Sequence, residues 1–335
     1  MKKELGQFYT TNSDYIVGNL LDVFPHNATI VDMFAGNWDL LNLVKDTHSV
    51  IGYDIDVKNN YTVQQDSFNC ITNYKGKWII TNPPYLAKNK NKNKDVYNKY
   101  DTDDLYKAAI KVIDGCEGGV IIIPVNFFCS EDSEIRKLFL SKYKVVKLNI
   151  FEERVFSDTD YTVCAFSFIK NNAGTKKLDC TFFPSKDKQT FDIGNNNYRI
   201  GNEFFELLDN VKKVNVSRLL QGEKPNSDIL LRAIDTGTDK GRIKLEIEKN
   251  HHYGIKTDRN IATIIMPKKL NSSDEEKIVN KFNSTLEGFR KKYRSLFLTN
   301  YRNSTKSYAR KRISFDVAYR LIQHIYNNDI ETQSQ

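Results

Sequence analysis

The sequence predicts an α/β protein: a mainly parallel sheet covered on both faces over residues 1–172, then a smaller α+β region over 173–335. Short apolar strands alternate with helix-sized spacers through the first half, the pattern of strands joined by crossover helices. One strand, 119–124, is almost continuously apolar, as a strand buried on both faces requires. After Lys170 the run Asn171-Asn172-Ala173-Gly174-Thr175 is polar, and shorter alternating segments follow it.

In chain order, 14–23 has an apolar helical rhythm, and 28–34 is a strand ending in Ala35-Gly36. Residues 39–44 read as helix and 49–53 as a strand closed by Asp54-Ile55-Asp56. Residues 77–81 read as a strand stopped by two prolines, which cannot continue a central ladder. Helix is predicted at 105–113 and 133–140, and strand at 144–150 and 162–169. Beyond the polar run the reading is strand at 179–183, 197–200 and 261–266, with helix at 204–220, 274–293 and 315–326. The segment 86–102 carries an alternating Lys/Asn run from Lys88 to Lys94. A mobile surface insertion and a contact with nucleic acid backbone through Lys88 and Lys90 are both open for it.

At 335 residues the chain is long enough for a full core, and 40% hydrophobic with 27% charged residues excludes a wholly disordered protein. No apolar run approaches the ~18 residues of a membrane span. The short charged N-terminus has no secretory h-region, so an intracellular compartment is expected. Five cysteines, at 70, 116, 129, 164 and 180, lack metal-type spacing and read as free thiols. The net charge of +8 is concentrated: Lys281 to Arg320 holds eleven Lys or Arg against Glu287 and Asp316, +9 there and −1 for the rest. Such an imbalance is the electrostatic footprint of a polyanion partner.

The turn Asp32-Met33-Phe34-Ala35-Gly36 lies at the carboxyl end of a strand, where open α/β sheets hold ligands. Asp54, ending the next strand, can accept hydrogen bonds from two ribose hydroxyls. The usual Gly-x-Gly-x-x-Gly loop is missing, which fits an adenosyl ligand without phosphates better than a dinucleotide. The most specific feature is Asn82-Pro83-Pro84-Tyr85 after the strand. Consecutive prolines fix the backbone and restrict the preceding Asn. The Asn82 amide oxygen and the Pro83 carbonyl can then accept from one exocyclic amino group and aim its lone pair at a methyl sulfonium. Tyr85 can stack on a planar base, for about 1–3 kcal/mol. A base in a duplex must be flipped out to reach such a pocket, and Phe156, with Tyr161 as substitute, is the candidate for its other face.

These residues resemble the amino-methylating DNA methyltransferases with the gamma order of motifs, over residues 4–169. The resemblance implies S-adenosyl-methionine as cofactor and S-adenosyl-homocysteine as product. Leu5 to Thr11 matches the N-terminal motif, which places Tyr9 and Thr10 around the methionine part. Asp32, Phe34 and Gly36 match the glycine motif, and Asp54 with Ile55 the ribose-binding segment. Asp66, Ser67 and Phe68 match the adenine-side motif, with Asp66 accepting from the cofactor amino group. Asn82 to Tyr85 matches the catalytic motif, and an initial Asn is similar to the N6-adenine enzymes. Phe156 matches the stacking aromatic. One departure is Trp38, where the family usually has a second glycine. An indole there either points into the packing layer or narrows the cofactor pocket and impairs the enzyme.

The resemblance implies an adenine-N6 methyltransferase acting on double-stranded DNA, as a monomer or homodimer, with a separate cognate restriction endonuclease as a further partner in a restriction-modification system. RNA or a protein glutamine as acceptor, and a nucleic-acid-binding protein that has lost turnover, are the other readings. Within the basic region, Arg290, Lys291 and Lys292 and then Arg310, Lys311 and Arg312 interleave with aromatics and read as phosphate contacts. His251 and His252 are adjacent and would face opposite ways on a strand, and the chemistry needs no metal.

Overall fold

The computed structural model describes residues 10–70, 72–157, 159, 161–171, 173–194, 197–236, 241–303 and 309–331. The apolar run that reads as a doubly covered strand is β5 (Gly118–Pro124), buried at every position. Around it are β1 (Thr29–Asp32), β2 (Ser49–Asp54), β3 (Thr62–Gln64), β4 (Trp78–Thr81), β6 (Tyr143–Phe151) and β7 (Val163–Lys170). With β8 (Lys177–Phe183) and β9 (Lys188–Asp192) they make one nine-stranded sheet, ordered β3-β2-β1-β4-β5-β7-β6-β8-β9. Neighbours from β3 to β5 pair parallel, β7 runs antiparallel to both β5 and β6, and β8 returns parallel to β6. Four of the five cysteines are buried free thiols in this unit, and Cys70 is exposed.

Covering elements are α1 (Ser13–Val17), α2 (Asp95–Tyr100), α3 (Leu105–Val112), α4 (Asn126–Cys129) and α5 (Glu134–Lys142). The predicted helix at 39–44 is only a 3-10 turn, Leu41–Leu43. Its apolar spacing is satisfied all the same: Leu40, Leu41 and Val44 are buried, through i→i+3 bonds that suffice for a short connector. The 14–23 rhythm likewise splits into α1 and a 3-10 segment, Gly18–Val23.

The predicted boundary at 172/173 falls just before β8, which the chain adds to the first sheet by pairing Leu148 to Phe151 of β6 with Cys180 to Phe183. The compact units divide instead between Tyr198 and Arg199. Polar linker composition marks a chain reversal there, not a change of core. The second unit contains α6 (Asn202–Asp209) and an antiparallel sheet of β10 (Ser217–Arg218), β11 (Ile229–Arg232), β12 (Lys244–Ile247) and β13 (Ile261–Ile265), ordered β10-β13-β11-β12. Next come the long α7 (Ser272–Lys292), a ribbon of β14 (Thr299–Asn303) and β15 (Ala309–Arg312), and α8 (Phe315–Ile325). Asn283 locks α7 onto β12 by bonding both the N–H and the carbonyl of Leu245, each at 2.9 Å. The predicted helix 204–220 stops at Asp209, and 197–200 is a turn instead of a strand. No helix among the described residues is long and apolar enough to cross a membrane.

Candidate active site

A cavity of about 310 Å³ opens at the carboxyl ends of β1, β2 and β4, within the size range of small-ligand sites. Its apolar walls include Phe34, Phe68, Pro84, Val96 and Leu105, and its polar groups include Asp54, Asp66, Ser67 and Asn82. Gly36, at φ +48, turns its N–H onto Asp54 Oδ2 at 2.8 Å, while Asp54 Oδ1 accepts from Asp56 N at 2.9 Å. Left-handed backbone at this turn is what glycine supplies without strain. Asp66 Oδ1 accepts from Phe68 N, Ser67 Oγ donates to the Met33 carbonyl, and the Phe34 and Phe68 rings sit 5.1 Å apart. Ile55 is exposed and also lines the cavity. Thr10 is buried beside Asn82, and Tyr9 lies outside the described residues.

The tetrapeptide is held from several directions. Asn82 Nδ2 donates to Thr10 Oγ1 at 3.0 Å, and Asn82 Oδ1 accepts from the Tyr85 hydroxyl. The same hydroxyl is 2.9 Å from the Ile122 carbonyl of β5. Beyond it, Leu86 N donates to Asp104 Oδ1 at 3.2 Å, and burial pushes the Asp104 carboxyl up to about 6. Tyr85 is only 2% exposed and burial raises its phenol well above the ordinary value, so its ring presents no face for stacking in this structure. Phe156 is equally buried, at 2%. Tyr161, 37% exposed and edge-on to Tyr85 with centroids 6.2 Å apart, is the aromatic that does present one. Hydroxyl anchoring explains the difference, because a phenol bonded at its tip to Asn82 and Ile122 is drawn into the interior.

The segment 86–102, open in the sequence between a mobile insertion and a nucleic acid contact, supplies part of the wall of this cavity. Tyr97 of α2 is fully buried and donates to the Leu86 carbonyl at 2.9 Å. Lys99 and Tyr100 both donate to the Phe68 carbonyl at 2.7 Å. Lys88 donates to Asn98 Oδ1 at 2.8 Å and Lys94 is bonded to the Lys88 and Asn91 carbonyls, while Lys90 and Lys92 are exposed. A Lys/Asn run gives no periodic sign of this, since its amides and ammonium groups make hydrogen bonds rather than bury apolar surface.

Asp32 does not line the cavity. It is 2% exposed, and its Oδ1 accepts from Phe34 N at 3.0 Å and from Thr81 Oγ1 at 2.8 Å, tying β1 to β4. Burial pushes its carboxyl up to about 7. With the folded pKa above the unfolded one, the stability it contributes is complete below about 4 and is lost as pH rises through about 7. The contribution of Asp32 should therefore fall between pH 5 and 8 by on the order of 2–3 kcal/mol. Asp32→Asn, which keeps an acceptor oxygen, should remove most of that slope in urea titrations at the two pH values. An unchanged slope would show that Asp32 is ionised throughout.

Trp38 also stays out of the cavity. Its backbone takes φ +69, the region a glycine would favour, and its indole is 9% exposed with Nε1 donating to Thr62 Oγ1 at 2.7 Å. Space for the ring comes from Gly52 of β2, where a Cβ would lie 2.8 Å from Trp38 Nε1. The indole thus replaces backbone flexibility by packing between the first turn and β3, and leaves the ligand pocket open.

The strand order, with one antiparallel strand between β5 and β6, decides the architecture. This is the Rossmann-like fold of the S-adenosyl-methionine-dependent methyltransferases, with a smaller C-terminal α+β region. No protein-family model and no curated protein matches the chain. Among solved structures it is similar to a modification subunit assigned to a type I restriction enzyme from Vibrio vulnificus, at 14% identity and TM-score 0.43, over 63% of this chain and 54% of that one. It is also similar to a protein assigned as a class I S-adenosyl-methionine-dependent methyltransferase from Listeria monocytogenes, at 15% identity and TM-score 0.42, over 52% and 65%. A third is the type I restriction-modification methyltransferase subunit from Streptococcus thermophilus, at 15% identity and TM-score 0.38, over 61% and 53%. The chain thus spans 54%, 65% and 53% of their lengths.

Of the cations read as phosphate contacts in the second unit of this methyltransferase fold, three are engaged internally. Arg290 forms a buried two-point pair with Asp235, at 3.3 and 2.8 Å, and so is a core element. Lys311 is 7% exposed and donates to Asn300, and Lys292 pairs with Glu203. Lys291 is exposed, while Arg310 and Arg312 are partly so. Sequence alone could not separate these sets, because a cation's carboxylate partner lies far along the chain, 55 residues away for Arg290.

Proposed function

We propose that the chain transfers a methyl group from S-adenosyl-methionine to the N6 amino group of an adenine flipped out of duplex DNA. The observation that carries this is Asn82, whose amide is fixed by Thr10 and Tyr85 at the mouth of a cavity that also presents Asp54 and Asp66. The cavity suits an adenosyl group: aromatic walls at Phe34 and Phe68 for the base, two carboxylates for hydroxyl and amino donors, and no phosphate cradle. When bound, the cofactor supplies an electrophilic methyl on a sulfonium. Asp54 would hold its ribose and Asp66 its adenine amine.

Asn82 does its work through an orientation it already has. With Nδ2 donating to Thr10 and Oδ1 accepting from Tyr85, the remaining lone pair of Oδ1 and the Pro83 carbonyl would be the two acceptors for the target. Two acceptors on one amino group draw its hydrogens out of the ring plane and concentrate the lone pair on nitrogen. No strong base is needed, because the nitrogen becomes acidic as it is alkylated. Tyr85 serves by donating to Asn82 Oδ1, and Tyr161 is the aromatic assigned to the flipped base in place of Phe156. The basic second unit supports DNA as the acceptor, a cognate endonuclease being a further partner.

The test is transfer of labelled methyl groups to mixed duplex DNA, with tRNA and a protein extract as parallel acceptors. Label recovered as N6-methyladenine in DNA is the expected result. Label confined to tRNA or to glutamine would overturn the choice of acceptor, and none in any acceptor would overturn the activity.

A further inference from the structure

The second unit holds a groove to which the basic stretch of sequence contributes only Arg312. The loop 250–260, between β12 and β13, exposes Ile255 at 63%. Single exposed apolar residues are ordinary on a surface. This one sits on a braced loop and on the rim of an open groove of about 560 Å³ lined with Thr257, Asp258, Arg259, Asn260 and Arg312.

The bracing is specific. Arg218 of β10 donates to the Lys256 carbonyl at 2.6 Å and to the Asp258 carbonyl, with its guanidinium stacked 4.3 Å over Phe315. Asp258 N donates to the Ile255 carbonyl at 3.1 Å, and its carboxylate accepts from the N–H groups of Asn260 and Ile261. Asp258 thus spends its charge on the loop backbone. Four other arginines of this unit are neutralised: Arg232 by Glu246, Arg242 by Glu287, Arg290 by Asp235 and Arg320 by Asp316. Arg259 and Arg312 face the same groove with no carboxylate partner among the described residues.

A braced loop that offers an unneutralised guanidinium group, a hydroxyl, an amide and a projecting isoleucine, beside a second guanidinium from Arg312 of β15, has the chemistry of a nucleic acid contact. Guanidinium groups grip phosphates, an Asn amide matches an adenine edge, and an apolar side chain meets a thymine methyl or wedges at a base step. We infer that this groove is a duplex DNA-reading element, in which Arg259 and Arg312 hold backbone phosphates and Ile255 and Asn260 meet base edges. The inference rests on DNA being the acceptor proposed above, and it moves the contact from the Arg290 and Lys311 positions to Arg312 and a loop of nearly neutral sequence.

The experiment measures duplex DNA binding by the full chain across a salt series, beside methyl transfer. Arg259→Ala with Arg312→Ala should weaken binding about tenfold or more near physiological ionic strength and lower the slope of log affinity against log salt by about 2. Ile255→Ala should keep the slope and reduce the preference for the methylated site over random duplex. Lys224→Ala, exposed and not part of the groove lining, should change neither. If the double variant fails to fold, Arg259→Glu on the exposed loop should give the same loss. Wild-type affinity and slope in the arginine variants, with wild-type methyl transfer to DNA intact, would overturn the groove and leave the acceptor reading standing. Arginine variants that lose duplex binding while the wild type methylates no DNA would do the reverse. Preference for duplex RNA through the same two arginines would overturn the choice of DNA.

Discussion

Asn82→Ala is expected to lower methyl transfer by about 10²–10³-fold, the scale on which removing one preorganised polar group from a reacting centre is felt. The loss should fall on kcat, since the amide oxygen meets the target nitrogen most strongly as positive charge develops there. Cofactor affinity should stay within a few fold, because Asp54, Asp66 and the two phenylalanine walls are untouched. Isothermal titration with S-adenosyl-homocysteine and single-turnover kinetics would separate the two effects. Equal loss of cofactor binding and turnover would show that Asn82 supports the pocket rather than the reaction, and the roles assigned to Thr10 and Tyr85 as its positioning partners would go with it.

Arg290→Ala should destabilise the second unit by roughly 3–5 kcal/mol, because it leaves a buried carboxylate without its cation. Arg290 and Asp235 have side chains only 9% and 10% exposed, and Asp235 Oδ1 also receives the N–H of Ile243 at 2.9 Å. The pair therefore ties α7 to the chain leading into β12. Asp235→Ala should cost a similar amount, and the double replacement less than the sum, since it removes both charges. Urea denaturation followed by far-UV circular dichroism would read this. A phosphate-gripping Arg290 would behave oppositely, with stability changed by under about 0.5 kcal/mol and DNA affinity reduced.

The strands that form the ligand crevice were legible because each carries its own signal. Residues 28–34, 49–53, 77–81 and 119–124 are apolar runs closed by Gly, Asp or Pro, and all four became strands β1, β2, β4 and β5. Asp54 and Asn82 stood out from strand ends and turn chemistry, while the family resemblance implied Phe34, Gly36, Ile55, Asp66, Ser67 and Phe68; all eight line one cavity. The short connectors were less so: 39–44 has helical apolar spacing, yet a 3-10 turn buries the same side chains. Asn91, Asn93 and Val96 line the cavity from a stretch whose low complexity disguised a wall. Asp104 left no mark, because a carboxylate that receives backbone N–H groups looks like any other acid in the sequence.

By itself the sequence determined the alternation of strand and spacer, the Pro-Pro stop that fixes Asn82 at a strand end, and the acid that ends the neighbouring strand. Those are local matters: backbone restriction by proline, apolar periodicity and turn chemistry act over a few residues. Only the tertiary structure decided which side chains face the cavity. It turned the Trp38 indole toward Gly52 and Thr62, drew the Tyr85 ring inward through its hydroxyl, and kept Asp32 as a tie between strands. It also divided the basic residues into core pairs such as Arg290 with Asp235 and unneutralised ones such as Arg259 and Arg312. Burial and partner distance are set by residues far apart in the chain, and no local pattern encodes them.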